Sequence, residues 1–78
     1  MEANLTAESL QAARAAAGLT MEEVAAKLGV TRQAVGHWEA GTAAPGGPAR
    51  RLLAQLFAVD LAVVDSWFAT EDEERATA

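Results

Sequence analysis

Arg32, Gln33 and His37 stand at i, i+1 and i+5 of one short segment, with Gly36 between them. On a helix these positions share a side. Arginine offers a rigid fork of donors, glutamine a donor beside an acceptor, and histidine a ring nitrogen of either kind. Such groups read planar, hydrogen-bonding edges. Arginine pairs bidentately with guanine O6 and N7, glutamine pairs with adenine N6 and N7, and histidine can donate to guanine N7 or to a phosphate. Catalytic chemistry is poorly supplied by comparison. His37 is the one histidine, cysteine and tyrosine are absent, and the only serines are Ser9 and Ser66. No nucleophile–base pair can be assembled from that set, and a lone His37 near Glu39 is too little for a metal site. Neither an enzyme nor a cofactor is expected.

The elements that must position these side chains are helices. Alanine fills 20 of 78 positions, and no alternating run of β-branched residues occurs. One starting device recurs: an apolar residue, a capping residue, and a second apolar residue four positions after the cap. Leu5, Thr6 and Leu10 follow it, as do Leu19, Thr20 and Val24, then Val30, Thr31 and Val35, then Val59, Asp60 and Val64. Glu23 completes a capping box with Thr20. A further start has Gly47 as cap and Pro48 in the first helical position. Gly18, Gly29 and Gly41 suit the left-handed position that ends a helix. The spacing therefore predicts five helices, at about 7–17, 21–28, 32–40, 48–58 and 61–69. Gly41 to Gly47 reads as a loop, and the acidic residues 70–78 read as a disordered tail after a domain of residues 1–69.

Only Gly29, Val30 and Thr31 separate the second and third predicted helices. So short a turn forces a steep crossing, which needs a glycine and a small residue at the contact. Ala25 stands four before Gly29, and Val35 six after it. Val24, Leu28, Val30, Val35 and Trp38 then share one core, and the pair reads as a helix-turn-helix.

Residues 10–57 resemble the phage repressor and Cro family, the XRE family. The stretch Leu19-Thr20-Met21-Glu22-Glu23-Val24-Ala25-Ala26-Lys27-Leu28-Gly29-Val30-Thr31 is similar to its first motif helix and turn. Trp38-Glu39-Ala40-Gly41, Pro45 and Arg51-Leu52-Leu53 resemble its small-regulator and antitoxin branch. The resemblance implies an all-α, compact five-helix, lambda-repressor-like DNA-binding domain. It implies a recognition helix at about 32–40 whose N-terminal positions face the major groove, with Arg32, Gln33 and His37 on base edges. Thr31, Gly36, Thr42, Arg50 and Met21 are then expected at the DNA backbone or at a close approach to it. The family commonly carries glutamine where Met21 stands, and a basic loop where Thr42-Ala43-Ala44 stand; Arg50 and Arg51 can supply some of that charge. The resemblance also implies an ion pair between Arg14 and Glu39, which would hold the first helix against the recognition helix.

The net charge is −5, but Glu71, Asp72, Glu73 and Glu74 form a run near the end. From Leu5 to Thr70, six acids and five bases leave the stretch at −1. A near-neutral domain can bind DNA when its bases share a face. With few cations, the expected salt dependence is shallow for each copy.

The apolar stretch from Leu56 to Ala69 is broken by Asp60 and Asp65 and is too short to span a bilayer. No signal peptide is read, and the lack of cysteine fits a reducing compartment. These readings point to the cytoplasm, and the resemblance implies that of a bacterium or of a phage host. The fifth predicted helix carries more apolar residues than one core stripe needs. Leu61, Val64, Trp67 and Phe68 are therefore expected at a homodimer interface. Two recognition helices would then lie about 34 Å apart and read a palindrome, as a repressor does. The competing reading is a protein-interaction or antitoxin-like module, with a toxin or another regulator as partner and weak or no DNA binding.

Overall fold

The computed structural model describes residues 8–77. Six helices follow one another, and no strand is present among the described residues: α1 (Leu10–Ala16), α2 (Met21–Leu28), α3 (Arg32–Ala40), α4 (Gly47–Phe57), α5 (Leu61–Trp67) and α6 (Ala69–Thr77). None is long and apolar enough to cross a membrane.

The expected capping chemistry is present at α2 and α3. Thr20 accepts from the Glu23 N–H at 3.0 Å, while the Glu23 carboxylate accepts from the Thr20 N–H at 2.8 Å. Thr31 accepts from the Ala34 N–H at 3.1 Å. Between these helices Gly29 takes a left-handed backbone with φ +74°, which a residue bearing a Cβ adopts only with strain. Ala25 and Val35 are both buried at the contact. A larger side chain in place of Ala25 would push α3 away. Leu10 and Ala13 of α1, Leu53 and Phe57 of α4, Val64 of α5, and Phe68 close the core around Val24, Leu28 and Trp38.

Five boundaries differ from the sequence reading, one of them the end of α1 at Ala16 instead of residue 17. α1 begins at Leu10 instead of residue 7, because Ser9 is extended (φ −156°) and caps the Ala12 N–H. The Leu5 and Thr6 positions lie outside the described residues. α4 starts one residue early, with Gly46 as the cap. It ends at Phe57 instead of residue 58, with Ala58 as a left-handed cap at φ 57°. α5 stops at Trp67, where Phe68 leaves helical geometry (φ −120°) and turns into the core. Asp60 occupies the cap position of α5 but makes no side-chain capping bond.

Two further expectations are corrected. The residues after 69 form α6 instead of a disordered tail. Composition alone gives this segment too little apolar surface to order itself, but Asp72 on it pairs with Arg50 of α4. Of the four residues expected at a dimer interface, Val64 and Phe68 are fully buried within the single chain. Trp67 is half-buried and meets Phe57 and Phe68 edge-on, with centroids 6.2 and 6.5 Å apart. Only Leu61 is exposed, at 41%. The surplus apolar residues of α5 thus serve the junction with α4 and α6.

The left-handed Ala58 is a site of backbone strain, since an L side chain there costs about 1–2 kcal/mol. Ala58→Gly should relieve it, less the greater entropy of glycine in the unfolded chain. A net gain of about 0.5–1 kcal/mol is expected in urea unfolding.

Candidate nucleic-acid interface

α3 divides cleanly by face. Val35 and Trp38 enter the core, while Arg32, Gln33 and His37 are exposed on the other side. Thr31 is exposed at the start of the helix and Thr42 just past its end. Gly36 lies on the same side, half-buried. A Cβ built on it would meet nothing nearer than the Met21 Sδ at 4.0 Å. The glycine is therefore not required by packing within the chain. It lowers the relief of the exposed face between Gln33 and His37 and brings the backbone close to anything that lies there.

His37 is tied to the turn that follows. The Thr42 hydroxyl donates to the His37 carbonyl at 3.3 Å, and His37 Nδ1 stands 3.1 Å from the same oxygen. These contacts tie the His37 ring to the turn and leave Nε2 as the ring nitrogen turned away from Thr42.

Behind the face, Arg14 grips Glu39 with both arms of its fork, at 2.6 and 3.1 Å, and donates to the Leu19 carbonyl at 3.1 Å. One side chain thereby joins α1, the turn before α2, and the end of α3. Hydrogen bonding to Glu39 raises the Arg14 pKa against the opposing effect of burial, and the Glu39 charge adds to the rise. Arg14 therefore keeps its charge in this setting. An open cleft of about 410 Å³, lined by Arg14, Thr20, Met21, Glu22 and Arg32, runs from the start of α2 to the start of α3. Arg32 is the exposed cation of this cleft; Arg14 is already paired with Glu39, and Glu22 adds a carboxylate. Met21 contributes only an apolar wall there.

Arg50 is placed differently from a solvent-facing phosphate contact. It donates to the Pro45 carbonyl at 2.9 Å, to Asp65 at 3.1 Å, and to both oxygens of Asp72 at 2.9 and 3.0 Å. Its guanidinium also lies 5.3 Å from the centre of the Phe68 ring. Hydrogen bonding to Asp72 raises its pKa, burial opposes this, and Asp65 adds to the rise. The sequence reading missed Asp65 and Asp72 as partners, and no local spacing signals a pair 22 residues apart. Arg51 remains exposed on α4.

Two outcomes follow from this geometry. The side chains of Arg14 and Glu39 are only 16% and 5% exposed, so Glu39→Ala strands a guanidinium and should cost about 3 kcal/mol in chemical denaturation. Replacing both partners with leucine should recover much of that loss. Gly36→Ala should raise stability by up to about 1 kcal/mol, since alanine is the better helix former and the space is open. A lower melting temperature would show that Gly36 has a packing role instead.

Comparison with curated proteins and with solved structures returns no match. A helix-turn-helix family profile matches residues 10–64, a span that contains α1 to α4, both halves of the Arg14–Glu39 pair, and the exposed face of α3. The chain therefore belongs to the helix-turn-helix family of the XRE type, a family of DNA-binding transcription regulators.

Proposed function

We propose that this chain regulates transcription by laying the N-terminal half of α3 in the major groove of duplex DNA. Arg32 reads guanine, Gln33 reads adenine, and His37 reads a neighbouring base edge. Thr31 and Thr42 meet the backbone on either side of α3, the α2 start meets a phosphate beside Met21, and Gly36 allows the close approach. The observation that carries this reading is the division of α3. Its hydrogen-bonding side chains are exposed together on a helix whose other face is locked in the core.

The regulator acts as a repressor, in the cytoplasm, with two copies on a palindromic site. Few cations face DNA in one copy, so pairing is what makes the affinity useful. Exposed Leu52 and Leu61, each 41% accessible, supply apolar surface for that contact.

Selection of bound sequences from a random duplex pool, followed by fluorescence anisotropy on the selected site, tests the reading. Arg32→Ala and Gln33→Ala should each lose about 1–3 kcal/mol on that site and little on scrambled DNA. Light scattering of the complex should give two chains per duplex. Wild type that enriches no sequence even at low salt would overturn the DNA reading and favour the protein-interaction alternative, to which the net charge of −5 is suited.

A further inference from the structure

α6 brings negative charge to the edge of the proposed DNA face. Glu71 Oε2 lies 3.1 Å from where a Cβ would stand on Gly41, the residue that ends α3. Glu71 and Glu74 line an open groove of about 290 Å³ together with Gly41, Thr42 and Ala43. Carboxylates there face the negative end of the α3 dipole, an unfavourable arrangement. Something must hold them in place. α6 reads Ala-Thr-Glu-Asp-Glu-Glu-Arg-Ala-Thr, without one large apolar residue. One anchor is the ionic grip of Asp72 on Arg50, two bonds of 2.9 and 3.0 Å, shared with Asp65 at 3.1 Å. An electrostatic anchor weakens with salt and yields to a competing anion. A phosphate meets the guanidinium fork in the same bidentate geometry as a carboxylate.

We infer that α6 is a reversible autoinhibitory element, which withholds Arg50 from the DNA backbone and sets Glu71 and Glu74 beside the loop that approaches it. On release of α6, a backbone phosphate takes the place of Asp72 on Arg50, and the acidic side chains leave the interface. The inference rests on the DNA reading above. It makes Asp72 a residue that sets affinity without touching the ligand.

Anisotropy of the full chain with a short random-sequence duplex, over a salt series, tests it, because phosphate contacts need no specific site. Asp72→Asn should tighten binding about threefold or more at low salt and steepen the salt dependence by about one phosphate contact. Adding Arg50→Gln to Asp72→Asn should remove that gain. Glu71→Gln with Glu74→Gln, which leaves the Arg50 anchor in place, should tighten binding as well, with the helical signal in circular dichroism unchanged. Either charge-removing variant binding no better than wild type while folded overturns the inference. Arg32→Ala separates the two failures. If wild type binds and Arg32→Ala weakens it while the α6 variants change nothing, the DNA reading stands and the inference falls alone. If no variant binds at low salt, both fall.

Discussion

The close seat of α3 on α2 is the constraint on which the rest of the structure depends. It exists because Ala25 is small, Gly29 can turn with positive φ, and Val35 fills the contact. Arg14 and Glu39 then fasten the far end of α3 to α1. The first is a packing condition and the second an electrostatic one, and they act at opposite ends of the same helix. With both met, the exposed side chains of α3 have few ways to move as a group. Such rigidity is what any bidentate hydrogen bond from these side chains would demand.

Charge is distributed by a similar logic. The chain has few cations, and the fold commits two of its arginines internally. Arg14 is engaged by Glu39, and Arg50 by Asp65 and Asp72. Arg32 stays exposed on α3 and Arg51 on α4. The cleft at the start of α2 is lined by Glu22 as well as by Arg14 and Arg32. Acidic residues of α5 and α6 lie within hydrogen-bonding distance of Arg50.

The α5–α6 region shows how local pattern misleads. Leu61, Val64, Trp67 and Phe68 look like more apolar surface than one helix can bury. Phe68, however, breaks the helix and rotates inward, and Trp67 packs its edges on Phe57 and Phe68. The surplus is absorbed by a change of direction that periodicity does not encode. Likewise, residues 69–77 carry no amphipathic stripe of large residues, so nothing local argues for order. Asp72 of this segment is bonded to an arginine on α4.

What the sequence by itself determined was local and short-range. Thr20 with Glu23, Thr31, Gly29 and Gly41 set the limits of α2 and α3 through bonds that span three to five residues, and the apolar spacing set their buried faces. The exposed trio on α3 follows directly from those limits. The Arg14–Glu39 pair was legible only through the family resemblance, because 25 residues separate its members. Tertiary structure alone decided the inward turn of Phe68, the placement of α6, and the engagement of Arg50. Each depends on which distant groups meet in space. A charge or an aromatic ring in sequence carries no mark of its partner until the chain has closed around it.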